Sequence, residues 1–147
     1  MGVFDGIEHV AAEGTSSRQY FAPGQYTVTI DKVFLHEKRL GGGKLFIVET
    51  TVVESDNAHI KPGDKRNWVQ SFTLPSALPR IKSFIGAAKG LCPSRQLQEI
   101  NQQITSQVCE NTVSAANPLG GKQLRLLCTN KISRLGRDFT HVQWRVC

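Results

Sequence analysis

Basic residues are concentrated in two glycine-containing segments of this chain, residues 36–44 and 130–138, each between stretches that alternate like β-strands. Lysine and arginine side chains bind phosphate groups, and glycine lets a loop backbone approach a ligand closely. The candidate phosphate-binding residues are Lys38, Arg39 and Lys44 in the first segment and Lys131, Arg134 and Arg137 in the second. Two solvated hairpin turns are the alternative. Folding alone does not require positive charge in both turns, so the pattern favours a polyanionic ligand.

A cation and two aromatic rings share one face of the third predicted strand. Arg66, Trp68 and Phe72 are separated by even intervals, and such side chains lie on the same face of a strand. Rings stack on unpaired bases for about 1–3 kcal/mol per base, whatever the base sequence. With Lys65 beside them, these residues are candidates for contact with a single nucleic-acid strand. The alternative is that Trp68 and Phe72 fill the interior and leave the intervening residues outside.

The last predicted strand divides into an apolar face and a mixed face. Val142 and Trp144 belong to the apolar set, which predicts that Trp144 is buried. Phe139 and Arg145 then point outward near the second basic segment and are further candidates for nucleic-acid contact. His141 is expected to be an ordinary surface residue.

The net charge of +6 is unevenly distributed along the 147 residues. Residues 1–60 contain five Lys or Arg against eight Asp or Glu, and residues 61–147 contain thirteen against four. The first part therefore carries −3 and the second +9. Such an asymmetry is typical of a protein with a polyanionic partner. Charge alone leaves open the alternative of a solubilising surface with chance clustering.

No constellation of residues indicates catalysis or metal binding. The Gly-Lys pairs at residues 43–44 and 121–122 lack the Ser/Thr and the upstream glycine of a phosphate-binding P-loop. The few carboxylates are scattered, and the four cysteines, at 92, 109, 128 and 147, lack the spacing of a zinc site. We therefore expect a non-enzymatic protein without a metal or cofactor, whose thiols are reduced as in the cytosol. A disulfide pair is the alternative.

The alternation of apolar residues predicts five strands. The first strand follows a turn at residues 22–24, and its apolar phase slips at Asp31–Lys32, which indicates a β-bulge. The later strands are expected over residues 45–53, 65–72, 122–129 and 139–146. Residues 1–24 are weakly patterned and are expected to form an N-terminal arm before a single domain over residues 25–147.

Two helices are predicted between the third and fourth strands. The first is capped by Ser76 and ends at Gly90, with an apolar face of Leu78, Ile81, Phe84, Ile85 and Ala88. The second begins at Pro93–Ser94, with an apolar stripe of Leu97, Ile100, Ile104 and Val108. Solvation of the first helix is the expected role of Arg80, Lys82 and Lys89.

This order of elements predicts a mainly β protein, an OB-fold-like five-stranded barrel with a helical insert between strands three and four. In that fold the loops between strands one and two and between strands four and five flank the oligonucleotide-binding face. The two basic segments occupy those loops. We therefore expect them at one rim, beside the outer face of strands two and three. A β-sandwich with a helical insert is the alternative.

The chain contains no apolar run near 18 residues, and its first residues are acidic rather than basic. These features predict no membrane association, no secretory leader and a cytoplasmic location.

Several short motifs are similar to those of a known family. They are residues 21–26, a basic glycine turn before residues 46–49, residues 54–56, Pro62–Gly63 before Trp68, and residues 81–85; residues 136–139 match more loosely. With these motifs the chain, from Phe21 to about Leu91, resembles single-stranded DNA-binding proteins encoded by tailed bacteriophages. The resemblance implies an OB-fold, work in the host cytoplasm in phage DNA replication or recombination, and partners among the phage proteins of those processes. Residues 143–147 depart from the family's acidic tail, which puts partner recruitment through such a tail in doubt.

Together these observations predict a non-enzymatic protein that coats single-stranded DNA with little sequence preference, over roughly 4–16 nucleotides. The alternative is a structural or interaction protein of a phage, such as a virion component or a factor that docks on a host protein. Its contact surface would then be Leu45, Ile47 and the apolar stripe of the second helix. A third possibility is a protein that binds double-stranded nucleic acid or RNA. An oligomer is compatible with all of these hypotheses.

Overall fold

The computed structural model describes residues 20–37, 43–132, 136 and 138–145, with only the backbone described at 138 and 139. These residues form a five-stranded antiparallel sheet, with three helices between the third and fourth strands. The strands are β1 (Gly24–Glu37), β2 (Lys44–Ser55), β3 (Lys65–Ser71), β4 (Gln123–Ile132) and β5 (Asp138–Arg145). The helices are α1 (Ala77–Ala88), α2 (Leu97–Gln103) and α3 (Ser106–Thr112). The predicted mainly β class, with five strands and a helical insert, is confirmed.

The first strand is long because two neighbours share it. β1 pairs with β2 from Tyr26 to Glu37, whereas only its first part pairs with β4, from Gly24 opposite Cys128 to Thr29 opposite Gln123. The register against β2 shifts between Ile30 and Lys32, where the sequence predicted a bulge. A bulge bends its strand and increases the local twist, so β1 can serve both ladders.

Alternation along each strand separates a core face from a solvent face. The core-facing side chains of the first two strands are fully or nearly fully buried: Val28, Ile30 and Val33 of β1, and Phe46, Val48, Thr50 and Val52 of β2. Glu49 in the alternate set of β2 residues predicts that this alternate set faces solvent, and the burial pattern of the strand confirms it. Thr50 satisfies its hydroxyl inside the core by donating to the Arg66 carbonyl oxygen at 2.7 Å.

Four aromatic rings form the centre of the core. Phe46, Trp68, Phe84 and Trp144 come from β2, β3, α1 and β5, with ring centroids of contacting pairs 4.7–6.2 Å apart. Edge-to-face and tilted pairs of this kind contribute about 0.5–1.5 kcal/mol each beyond their burial. The cluster therefore ties both outer strands and the first helix to one point.

The sheet order is β3-β2-β1-β4-β5, which makes β3 and β5 its two edges. No ladder joins these edges in the part of the chain that the structure describes, so the expected closed barrel is not confirmed. The edges nevertheless approach each other through side chains, because the Trp68 and Trp144 rings lie 5.4 Å apart.

The first helix matches its prediction except at its start. Ile81, Phe84, Ile85 and Ala88 are buried, but Leu78 is 66% exposed. Ser76 is the N-cap residue, yet its side chain accepts no capping hydrogen bond. Gly90 follows the helix with φ of 89°, a left-handed conformation that glycine adopts without strain.

The single second helix predicted from residue 93 is wrong, because the chain forms two short helices there. Ile104, between α2 and α3, is extended, and Thr105 caps α3 by accepting a hydrogen bond from the Val108 amide at 3.3 Å. Ile100 and Ile104 are buried, whereas Leu97 is 55% exposed. The break at Ile104 leaves Ile100 and Ile104 of the predicted stripe in the core and Leu97 exposed.

The residues just before β1 pack on the domain. Phe21 is buried with its ring 5.4 Å from that of Tyr26, and Tyr20 forms an isolated parallel bridge with Asn67 of β3. Residues 1–19 of the predicted arm lie outside the described residues.

The cysteines differ in their states. Cys92 is disulfide-bonded, which contradicts the expectation that all thiols are reduced, whereas Cys109 and Cys128 are free. Burial raises the pKa of the Cys128 thiol to about 12. In the described ranges, no helix has the length and apolar character that crossing a membrane requires.

Candidate nucleic-acid interface

Four of the predicted phosphate-binding residues are exposed cations at described positions. Lys44 begins β2, Lys131 is near the end of β4, Arg145 ends β5, and Lys65 begins β3. Lys65 is already engaged, because its ammonium contacts the Asp31 carboxylate at 3.2 Å and the Thr51 hydroxyl at 2.5 Å. Lys44, Lys131 and Arg145 are therefore the cations of the predicted set that remain available.

Several predicted site residues lie outside the described residues. They are Lys38 and Arg39 of the first basic segment, Arg134 and Arg137 of the second, and the side chain of Phe139.

The third-strand residues are turned inward, not outward. Trp68 is buried in the aromatic cluster, and Arg66 is 7% exposed, with its guanidinium group donating to the Lys65 carbonyl oxygen at 2.7 Å and lying 3.7 Å from the Asp64 carboxylate. The outer-face stacking expected of Trp68 is therefore replaced by its alternative, a core position. Phe72, just past β3, is 39% exposed and is the one ring of that row open to a ligand.

The strand ends that flank the two basic turns lie at opposite ends of β1. The β1–β2 turn follows the pair Glu37–Lys44, whereas β4 pairs with the start of β1 and continues past it to Ile132 before turning into β5. Strand register therefore does not bring the two turns to one end of β1. The strand ends next to the two turns therefore contradict the expected shared rim; the turn residues themselves lie outside the described ranges.

Carboxylates balance the cations on one side of the sheet. The two ion pairs that join described residues, Asp31–Lys65 and Asp64–Arg66, both involve β1, β3 or the loop between β2 and β3. Glu49 of β2 lies opposite Lys32 of β1. The predicted outer face of strands two and three is therefore close to charge-balanced.

The half of the sheet formed by β4 and β5 carries several exposed cations. On the solvent face of β4 and β5, Arg125 lies directly opposite Arg145. Further along the same hairpin, the cross-strand pair that contains Lys131 is two pairs beyond the pair that contains His141. None of these cations forms an ion pair with another described residue. Glu54 and Asp56 do line the shallow groove that Arg125 and Arg145 share on the β1 side.

Beside β5, a cleft of about 570 Å³ opens toward the helical insert. Its described lining comes from α1, from the segment between α1 and α2, and from β3 and β5: Trp68, Pro79, Arg80, Ser83, Pro93, Ser94, Arg95, His141, Val142, Gln143, Trp144 and Arg145. Three arginines and no carboxylate are among these residues. We call it the β5–α1 cleft.

The electrostatics of the cleft are unfavourable to the protein itself. Burial, Lys131 and Arg80 together lower the pKa of His141 from its usual value, in that order of effect. Arg80 is in the first turn of α1, where the helix dipole disfavours a cation. Clustered positive charges repel one another and destabilise the folded state, so such a cluster is expected where a protein binds an anion.

No protein-family model and no curated protein matches this chain. The geometry of the site therefore carries the functional argument.

The pattern of the sequence gives no sign that the cations of the helical insert, His141 or one aromatic residue belong to the site. The sequence predicts that Arg80 solvates the first helix and that His141 is an ordinary surface residue, and it predicts no role for Arg95. The reason is that the sequence of a helix or loop does not indicate which strand its residues will face. Phe34 was also missed. It is half-buried on the solvent face of β1, with the Lys32 ammonium 5.2 Å from its ring centroid. The phase slip at Asp31–Lys32 was the signal that places Phe34 on this face.

Proposed function

We propose that this protein binds single-stranded DNA with little sequence preference, as a non-enzymatic coating protein. The observation that carries the proposal is the cationic surface of β4, β5 and the β5–α1 cleft, whose arginines have no acidic partner among the described residues. A polyanion with regularly spaced phosphates is the ligand that neutralises such a surface best.

The strand order supports an OB-like architecture for this function. An OB-fold is a partly open five-stranded barrel, and its opening corresponds here to the gap between β3 and β5. Contact of Trp68 with Trp144 across the gap, and a helical insert after β3, fit that proposal. The resemblance to phage single-stranded DNA-binding proteins points the same way and suggests a role in phage replication or recombination.

Bases need flat apolar partners, which β1, β2 and the end of β3 offer. Phe34 lies opposite Ile47, and Ile47 lies opposite Val69, so one half-buried apolar row crosses three strands on the solvent face. Phe72 directly follows β3 and is exposed. Its backbone amide donates a hydrogen bond to the Lys44 carbonyl oxygen at 3.1 Å. These rings take the stacking role first assigned to Trp68.

A titration of labelled oligo-dT of about 15 nucleotides, followed by anisotropy near 50 and 200 mM salt, tests the proposal. Binding is expected to weaken steeply with salt. An Arg125→Ala/Lys131→Ala variant is expected to bind less tightly, with a salt slope smaller by about 1.4, since each single-strand phosphate contact contributes about 0.7.

The matched control is a Lys61→Ala/Lys89→Ala variant, which removes two exposed cations away from that surface. Absence of binding at low salt, or equal losses in both variants, would overturn the proposal. Equal competition by duplex DNA would overturn the preference for single strands.

A further inference from the structure

The β5–α1 cleft has two chemically different parts. Trp68 and Trp144 are 6% and 5% exposed and line its inner part together with Val142, whereas Arg95 and Arg145 are exposed and Arg80 is half-buried. An apolar, aromatic floor therefore lies beneath a cationic margin. Its volume is within the range of about 300–1,000 Å³ that is usual for small-molecule sites.

We propose that this cleft binds one nucleoside phosphate, with the phosphate held by Arg80, Arg95 and Arg145 and the base against the aromatic floor. The ligand is either a free nucleotide or one unit of a strand. In the second case the inference rests on the proposed function and names where one unit of the strand binds.

Both halves of a nucleotide find matching groups in the cleft. Guanidinium groups form bidentate, charge-assisted hydrogen bonds with phosphate, and no described carboxylate in the cleft competes for them. The flat base requires an apolar surface with a few polar groups at its edge. Ser83 and Gln143 line the cleft as such groups, and the buried indole N–H of Trp144 has no acceptor among the described residues.

A cationic cleft with an apolar floor also suits an acidic peptide that ends in an apolar residue. The nucleotide is favoured because it explains the aromatic floor and the arginine cluster together, and because the chain's charge asymmetry already indicates nucleic acid. The peptide is kept as an outcome of the test.

The chain contains two tryptophans, Trp68 and Trp144, and both line this cleft, so intrinsic tryptophan fluorescence reports on it directly. The full chain is titrated with dTMP, with oligo-dT, with inorganic phosphate and with a glutamate-rich peptide. We expect dTMP or oligo-dT to change the emission and inorganic phosphate to compete. A response to dTMP identifies a free nucleotide as a ligand, and a response to oligo-dT alone identifies a unit of a strand.

An Arg80→Gln/Arg95→Gln variant is expected to weaken that response by at least about tenfold, since each lost charge-assisted hydrogen bond to phosphate has an effect of this order. Lys89→Gln, a charge loss at the other end of α1, is the control and is expected to respond as the unaltered protein does.

Three results would overturn the inference. The emission is unchanged by both nucleotide ligands, the variant responds like the control, or only the acidic peptide produces a change. Anisotropy of labelled oligo-dT separates the two proposals. Retained strand binding without any change in tryptophan emission rejects the cleft and keeps the proposed function, whereas loss of both signals rejects both.

Discussion

Arg125 of β4 and Arg145 of β5 are direct cross-strand neighbours on the solvent face of the sheet. Like charges directly opposite in a sheet are destabilising, by a few tenths of a kcal/mol up to about 1 kcal/mol. The pair therefore opposes folding and favours an anionic ligand. Arg125→Thr is expected to raise the free energy of unfolding in urea by about 0.5 kcal/mol while it weakens binding to oligo-dT.

Gln123→Thr, on the same face of β4, is the matched control for the change in β propensity. Screening by salt should stabilise the unaltered protein more than Arg125→Thr. A variant that is less stable than the unaltered protein would contradict the repulsion argument.

Trp68 is expected to contribute chiefly to stability, because its ring lies in the aromatic centre of the core. Trp68→Ala removes a ring that contacts Phe46, Phe84 and Trp144, and such truncations cost about 3–5 kcal/mol. Chemical denaturation measures the loss, and Trp68→Phe should lose much less. Phe72→Ala, at an exposed ring, should leave stability within about 0.5 kcal/mol and weaken oligo-dT binding. The reverse pattern would show that the core assignment of Trp68 is mistaken.

Gly86 allows α1 and α2 to approach closely. A Cβ atom at this position would lie 2.7 Å from Ile100 Cγ1 and 2.9 Å from its Cδ1, inside van der Waals contact. Gly86→Ala is therefore expected to destabilise the protein by about 1–2 kcal/mol, although alanine is the better helix former. Thermal unfolding of Gly86→Ala, Ile100→Val and the double variant tests the contact. Strictly additive losses would count against it.

His141 makes stability depend on mildly acidic pH. Its pKa in the folded state lies below the unfolded value of 6.5, so between the two values the unfolded chain binds more protons. The free energy of unfolding is therefore expected to fall as pH drops from 6.5 through the folded pKa, and His141→Gln should remove that part of the dependence. Histidine signals in an NMR titration give the midpoint directly. A midpoint above 6.5 without ligand would contradict the lowering of the His141 pKa by burial and by repulsion from Lys131 and Arg80, whereas a bound phosphate is expected to raise the midpoint.

Local patterns in the sequence were sufficient to predict the positions of the strands and of the first helix. Strict alternation identified the buried faces of β1 and β2, and the phase slip at Asp31–Lys32 identified the bulge, because both depend on residues adjacent in the chain. The prediction of one second helix failed because the chain is extended at Ile104 and Thr105 caps a new helix there, a capping signal that the apolar stripe concealed.

The amino-acid sequence by itself determined the mainly β class, the five strands and the excess of positive charge after residue 60, since alternation and charge are written directly in the residue types. The tertiary structure alone decided which cations come together. Arg80 and Arg95 join Arg145 because α1 and the segment after it pack against an edge strand that is distant in the chain. The tertiary structure also decided that Trp68 is a core residue. The alternation of β3 fits either face of the strand, and Trp68 faces inward because Trp144 of the opposite edge strand packs against it there.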